Sequence, residues 1–165
     1  MKRIPPIVFS MVLALAVASS AQDKPITPKV SGEDPLLGTW RLIVSQSQYK
    51  PGPAPQSQVR VYETHPFGIK ATVRTSYSDG RTTTVQSVYA YDKEEYPVTG
   101  SEDVDAIIVK RINAYVHEAT LQHAGHEIGS FRRVISRDGK QMTVSLRRSN
   151  PPADNVEVYE KEEQP

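Results

Sequence analysis

Two polar residues, His117 and Arg133, stand in stretches where apolar and polar residues alternate. An imidazole can donate and accept hydrogen bonds, and a guanidinium binds carboxylates and phosphates. If Arg133 faces an apolar interior, its charge needs a carboxylate, backbone carbonyls, water or an anionic ligand, because an unpaired buried charge is costly. We therefore regard both residues as candidates for contacting the polar end of a bound molecule. The alternative is that Arg133 reaches water at a strand end or a bulge.

The chain has four histidines, and imidazole is a common ligand of zinc and copper. The strand register derived below places one in an interior, one in a loop and one opposite Gln122. Because they do not converge, we expect no metal site. The histidines are His65, His117, His123 and His126.

Known catalytic motifs are absent from the sequence. It contains no G-x-S-x-G, no H-E-x-x-H, no glycine-rich phosphate loop and no cysteine. The acidic residues cluster in predicted turns and do not pair on a predicted inner face. We therefore expect a protein that is not an enzyme and that carries no cofactor.

The chain has 165 residues, with 20 Lys plus Arg against 19 Asp plus Glu, a formal net charge of +1 and no cysteine. This length predicts one domain. The balanced charge argues against nucleic acid as a partner, because neutralising phosphates requires a positive excess. The lack of cysteine excludes disulfides, thiolate metal sites and thiol nucleophiles.

The N-terminus has the pattern of a secretory signal peptide. Lys2 and Arg3 precede an apolar run, Ile7–Ala18, that is too short to span a membrane as a helix. We expect cleavage after Ala21, a proline-rich flexible linker over residues 22–35, and a barrel domain over residues 36–165. The mature protein is then expected in the periplasm or outside the cell, with no membrane span.

The rest of the chain reads as short alternating strands, and no segment shows a helical period. Antiparallel strands joined in order form a meander, and about nine of them favour closure. We therefore predict an all-β fold, an antiparallel up-and-down β-barrel of roughly eight to ten strands. The nine candidates are Leu37–Val44, Val59–Thr64, Ile69–Tyr77, Thr82–Tyr91, Ala106–Ile112, Tyr115–Gln122, Glu127–Ser136, Gln141–Arg148 and Val156–Glu160.

Two Asp-Gly pairs, Asp79-Gly80 and Asp138-Gly139, predict two-residue type I′ turns. The register of the second places Phe131, Arg133 and Ile135 opposite Leu146, Val144 and Met142. The register of the first places Tyr89 and Tyr91 on the outer surface.

A three-residue loop, His123-Ala124-Gly125, with Gly125 in a left-handed bulge, lets neighbouring hairpins agree on one inner face. His117 then lies opposite Phe131, and Arg133 opposite Tyr115. The predicted inner set consists of Tyr115, His117, Ala119, Leu121, Phe131, Arg133, Ile135, Met142, Val144 and Leu146.

Gly38-Thr39-Trp40 resembles the start of lipocalin and fatty-acid-binding-type barrels, in which the Trp closes one end. An ordered set of segments is similar to a group of secreted bacterial lipocalin-like proteins of unassigned activity; it comprises Gly38–Glu63, Tyr96–Gly100, Ile107–Asn113, Phe131–Val144 and Asn155–Lys161. The resemblance implies a small calycin-type barrel and brings no catalytic residue. The start is also similar to nitrobindin-type haem barrels, but Arg41, Leu42 and Ile43 replace the glycines that follow the Trp there, so we expect no haem.

Two functions remain open. In the first, the barrel is an extracytoplasmic carrier of a small hydrophobic or amphipathic ligand; its ligand-binding residues would be Trp40, Tyr115, His117, Phe131 and Arg133. In the alternative, side chains fill the barrel, and it is a structural or interaction protein of the cell envelope that acts through its surface, including Tyr89 and Tyr91. The resemblance favours the first.

Overall fold

The structure is a computed structural model that describes residues 34–163. The expected signal peptide and residues 22–33 of the expected linker lie outside the described residues. The described part contains ten strands and one short 3-10 helix, Val44–Gln46. The strands are β1 (Gly38–Leu42), β2 (Ser57–His65), β3 (Gly68–Ser76), β4 (Thr82–Tyr89), β5 (Glu95–Thr99), β6 (Ala106–Asn113), β7 (Val116–His123), β8 (His126–Ile135), β9 (Gln141–Ser149) and β10 (Pro152–Lys161).

Each strand pairs antiparallel with its neighbours in sequence, and β1 also pairs with β10, so that the sheet closes. The prediction of an all-β, antiparallel up-and-down barrel is therefore confirmed. In the described part of the chain, we find no helix that is both long and apolar enough to cross a membrane.

Strand β5 was not among the predicted strands. It contains Pro97, which has no N–H to donate to the ladder, and proline within a run argues against a strand. β5 forms only two pairs with β4 and three with β6. The carbonyl of Pro97 accepts a hydrogen bond from the Ser87 hydroxyl at 2.9 Å, which helps to hold this short strand in place.

One end of the barrel is filled by apolar side chains around Trp40, which is fully buried. The Trp40 indole N–H donates to the carbonyl of Leu36 at 2.8 Å, and the Leu36 N–H donates to the Asp34 carboxylate at 3.0 Å. Asp34 lies in the expected linker, yet it is buried. The segment packed against the barrel therefore begins at least two residues before the expected boundary, because the indole and a buried carboxylate hold it there.

The prediction of type I′ geometry at the two Asp-Gly pairs is wrong. The glycines have positive φ, 85° at Gly80 and 70° at Gly139, but the aspartates do not. Each aspartate carboxylate instead accepts the backbone N–H two residues ahead, at 3.0 Å for Asp79 and 3.1 Å for Asp138. This local bond stabilises a turn in which only the glycine is left-handed.

The turn at Gly80 consequently has one loop residue more than predicted. The Gly80 N–H donates to the carbonyl of Tyr77, and β3 pairs with β4 so that Ile69 lies opposite Tyr89. A shift of one residue exchanges the two faces of a strand. The predicted outward position of Tyr89 is therefore wrong, because the side chain lies inside the barrel and is 2% exposed. Tyr91 is partly buried against the core.

The loop between β7 and β8 also differs from the prediction. Ala124 and Gly125 have φ of 51° and 75°, and His123 pairs with His126, so the loop has two residues. A bulge next to Leu121 leaves Ile128 without a partner and restores the face that the longer loop would have set. The predicted inner face of β7 and β8 is thus confirmed, but the predicted pairs are wrong.

In the observed register, His117 lies opposite Arg133, and Ala119 lies opposite Phe131. The predicted register between β8 and β9 is confirmed, with Arg133 opposite Val144. These pairings place the polar residues His117 and Arg133 next to each other on the inner face of the barrel.

Candidate functional site

The barrel contains a cavity of about 730 Å³ that begins beyond the packed end. It reaches the surface, because exposed residues such as Arg81 and Glu102 contribute to its lining. Part of its wall is apolar; the residues of this part are Ala71, Val73, Val85, Val98, Val104, Ile107, Leu121, Phe131 and Leu146. A second set brings charge and hydroxyl groups to the same space, namely Gln58, Arg60, Tyr62, Tyr89, Arg133 and Glu157.

Arg133 is held in the cavity wall by aromatic residues. Its side chain is 1% exposed, and one terminal nitrogen, Nη2, donates to the Tyr89 hydroxyl at 3.3 Å. The guanidinium carbon lies 4.8 Å from the ring centre of Tyr62 and 5.8 Å from that of Phe131. Aromatic faces attract a cation, but they do not cancel its charge.

Arg133 forms no ion pair with a carboxylate among the described residues. Its Nε atom is buried and has no hydrogen-bond partner within that part of the chain. Such a group is expensive to leave without a partner. The cavity wall therefore presents an uncompensated positive charge.

Arg60 also lines the cavity, but it carries its own counterion. Its Nη2 atom donates to the Glu157 carboxylate at 2.6 Å, and its Nε atom donates to the Tyr159 hydroxyl at 2.8 Å. The Tyr159 hydroxyl also donates to Glu157 at 2.6 Å. The three side chains form a satisfied, locally neutral cluster.

The pKa of Tyr62 reflects the two guanidinium groups. Burial opposes ionisation of its hydroxyl, but the charges of Arg133 and Arg60 outweigh burial and move the pKa below its ordinary value. Tyr89 behaves in the opposite way, because burial raises its pKa more than Arg133 lowers it. The Tyr89 hydroxyl accepts from Arg133 and can still donate its own proton beside that guanidinium.

His117 lies opposite Arg133 in the pairing of β7 with β8, but it does not line the cavity. It is fully buried, its ring stacks on Tyr91 with 5.1 Å between centres, and neither ring nitrogen has a partner in the described part of the chain. Burial, together with the charges of Arg133 and Arg111, lowers its pKa to about 3. The imidazole is therefore neutral near pH 7.

The structure brings two of the five predicted ligand-binding residues into the cavity lining, Phe131 and Arg133. Trp40 is buried in the packed end, and His117 lies behind Arg133; neither contributes to the lining. Tyr115 is also outside the lining and is covered by Arg137, whose guanidinium carbon is 4.7 Å from its ring centre.

Among the polar lining residues that sequence reasoning missed are Gln58, Arg60, Tyr62, Tyr89 and Glu157. The alternation of β2 groups Gln58, Arg60 and Tyr62 on one face, and that of β10 groups Glu157 with Tyr159, so a signal existed in both strands. Tyr89 was hidden by the incorrect turn length.

The histidines do not converge on a metal site. Within residues 34–163, no group of three or more His, Asp or Glu side chains is arranged to hold a metal ion. His123 lies near Asp105 at 3.9 Å and is half exposed at the barrel surface.

The closed, antiparallel up-and-down barrel has a lipocalin-like fold. Among solved structures, it is similar to that of a point mutant of the fluorescent protein UnaG. The TM-score is 0.53 at 14% sequence identity, and the match covers 79% of this chain and 98% of that one. No protein-family model matches the sequence, and no curated protein matches it. At this identity, the likeness concerns the fold.

Proposed function

We propose that this protein is an extracytoplasmic carrier that holds a small amphipathic molecule in the barrel cavity. The observation that carries the proposal is the uncompensated charge of Arg133 in the wall of a cavity of about 730 Å³. An apolar tail would lie along the aliphatic wall, and a polar end would contact Arg133 and the hydroxyls of Tyr62 and Tyr89.

The size and lining of the cavity support this proposal. Sites for small molecules have volumes of roughly 300–1,000 Å³ and combine apolar walls with a few convergent polar groups. Here, Phe131, Leu121 and Leu146 provide apolar surface next to the guanidinium of Arg133. A binding role needs no acid–base or nucleophilic machinery, which agrees with the absence of known catalytic motifs from the sequence.

The proposed location outside the cytoplasm is based on the sequence alone. Lys2 and Arg3 precede the apolar run Ile7–Ala18, and small residues precede the expected cleavage after Ala21. A protein exported in this way could carry a ligand through the periplasm or the medium.

Two observations argue against the alternative function, an interaction protein with a filled barrel. It requires an interior filled by side chains, whereas the described barrel has a cavity. It also requires an exposed aromatic surface, whereas Tyr89 is buried and Tyr91 packs against His117.

The proposal is tested by native mass spectrometry of the mature protein purified gently from an extracytoplasmic fraction. We expect an additional mass that is lost on denaturation and identifies a small amphipathic molecule. Arg133→Met should reduce the occupied fraction, whereas Arg132→Met should not, because Arg132 faces outward and pairs with Glu118. A bare chain mass in repeated preparations, and after exposure to lipid extracts, would contradict a carrier function.

A further inference from the structure

The charges that face the cavity sum to one uncompensated cation. Arg60 and Glu157 form an ion pair at 2.6 Å, with side chains that are 13% and 5% exposed, so their charges cancel locally. Arg133 has no such partner, and the neighbouring His117 is neutral because its pKa is lowered to about 3 by burial and by Arg133 and Arg111.

Most of the charges at the rim of the cavity are already paired. Arg81 pairs with Asp79 at 2.7 Å, Arg148 donates to Asp103 at 3.0 Å, and Glu102 is an exposed carboxylate. These groups are closer to solvent, which screens them more effectively than the groups inside.

We infer that the cavity selects ligands that carry a single carboxylate, and that Glu157 sets this selectivity by cancelling the charge of Arg60. This inference rests on the proposed carrier function. A monoanion neutralises Arg133 and leaves the interior without net charge, whereas a dianion leaves one negative charge in a site of low dielectric. A neutral ligand leaves the cation of Arg133 uncompensated.

The geometry around Arg133 also suits a carboxylate. A guanidinium presents several N–H donors in a plane, and a carboxylate accepts two of them in parallel. The Nε atom of Arg133 is unpartnered, and only Nη2 is engaged, with the Tyr89 hydroxyl. The Tyr62 ring lies against the same guanidinium and holds it in place.

Because Glu157 neutralises Arg60, the cavity has one free cation and not two. Without its charge, Arg60 would keep only the Tyr159 hydroxyl at 2.8 Å and the Gln58 amide oxygen at 3.2 Å as partners. The interior would then carry two positive charges, those of Arg60 and Arg133. Such a cavity should favour a dianion.

The test compares three probes of equal carbon number, dodecanoate, dodecanol and dodecyl phosphate, by isothermal titration calorimetry at pH 8. A phosphate monoester is largely dianionic at that pH. For the wild-type protein, we expect dodecanoate to bind at least about tenfold more tightly than either of the other probes, since tenfold corresponds to a modest electrostatic difference.

Glu157→Gln should shift the ratio of phosphate to carboxylate affinity by about tenfold toward phosphate. Glu160→Gln is the matched control, because Glu160 lies on the same strand, is exposed and faces outward. If Glu157→Gln does not fold, Arg60→Met provides the complementary test. That change leaves Glu157 opposing Arg133, so both anions should lose affinity while dodecanol does not.

The outcomes separate this inference from the proposed function. Equal affinity for dodecanoate and dodecanol would overturn carboxylate selection and leave a carrier of uncharged molecules. An unchanged phosphate-to-carboxylate ratio in folded Glu157→Gln would overturn the role of Glu157. Failure of all three probes to bind, together with a bare mass in native spectra, would contradict the carrier function itself.

Discussion

His117 and Arg133 lie directly opposite each other on β7 and β8, and both side chains are buried on the inner face of the barrel. Both also have buried nitrogen atoms without partners among the described residues. The pair places a cation and a neutral imidazole between the packed end and the cavity. Burial is the main reason that the imidazole is neutral, and the charge of Arg133 lowers the pKa of His117 further.

This relationship predicts how stability responds to acid. The pKa of His117 is about 3 in the folded protein and about 6.5 in the unfolded chain, so between these values the unfolded chain binds more protons. The free energy of unfolding therefore falls as the pH is lowered from about 6.5 toward about 3. From pH 7 to pH 4.5, the wild-type protein should lose about 2 kcal/mol more than His117→Leu in urea denaturation.

His126→Gln is the control for this measurement, because His126 is exposed at the start of β8. It should retain the wild-type dependence on pH. Parallel stability curves for wild type and His117→Leu would show that His117 titrates normally in the fold.

The pair of Arg60 and Glu157 predicts strongly non-additive mutations. Arg60→Met should cost about 3 kcal/mol, because it leaves the Glu157 carboxylate buried without its counterion. The double variant Arg60→Met, Glu157→Leu should be more stable than Arg60→Met, since no charge remains to be desolvated. A double-mutant cycle by chemical denaturation measures this coupling.

A surface pair provides the comparison. Lys70 and Glu63 are 3.6 Å apart, with side chains that are 42% and 54% exposed. Glu63→Gln should change stability by less than about 0.5 kcal/mol. If the changes in the free energy of unfolding at Arg60 and Glu157 are instead additive, the two residues are not coupled and behave like independent surface charges.

Most of the fold could be predicted from the sequence because strand alternation is a local signal. Nine of the ten strands follow from period-two patterns, and the register of Arg133 opposite Val144 follows from Asp138-Gly139. Strand β5 could not be predicted in this way, because it is short, contains Pro97 and is held by bonds to β4 and β6.

The candidate site was harder to predict because it depends on loop lengths and on barrel closure. One additional loop residue at Gly80 moves Tyr89 from the surface to the wall beside Arg133. Arg60 and Glu157 are separated by 97 positions and meet only because β1 closes the sheet between β2 and β10. Neither relationship is visible in a local sequence pattern.

Gly100 and Gly80 form a matched pair for testing close approach in the barrel. Both have positive φ, 79° and 85°, so alanine costs about 1 kcal/mol at either position. A Cβ atom on Gly100 would also lie 1.9 Å from the carbonyl oxygen of Thr84, whereas a Cβ atom on Gly80 would meet open space. Gly100→Ala should therefore lose about 2 kcal/mol more than Gly80→Ala in thermal or chemical denaturation.

The position of Gly100 at the end of β5 gives this comparison a second readout. Displacement of the β4 backbone should weaken the two pairs that join β5 to β4. Amide exchange at Thr99 should be faster in Gly100→Ala than in Gly80→Ala, whereas the Val98 N–H, which donates to Asp105 on the other side of β5, should change less. Equal stability of the two variants would mean that the β5 end adjusts without cost.

Variants of Trp40 and Phe131 test the two parts of the barrel interior, because Trp40 lies in the packed end and Phe131 lines the cavity. Trp40 is fully buried outside the cavity lining, and its indole N–H holds the Leu36 carbonyl at 2.8 Å. Trp40→Phe removes this bond and leaves space in the packed end, so it should lower the free energy of unfolding by about 2 kcal/mol. Its affinity for dodecanoate should stay within about twofold of wild type, which is less than 0.5 kcal/mol.

Phe131→Ala should have the opposite profile. Phe131 is only partly buried, lines the cavity and lies beside the guanidinium of Arg133. Its removal takes apolar wall and an aromatic face from the ligand, so the affinity for dodecanoate should fall by about tenfold. Calorimetric titration and urea denaturation of both variants measure the two effects on the same samples. Weaker binding by Trp40→Phe than by Phe131→Ala would place the ligand in the packed end, next to Trp40 and His117, because only a ligand seated there would lose contacts with the indole.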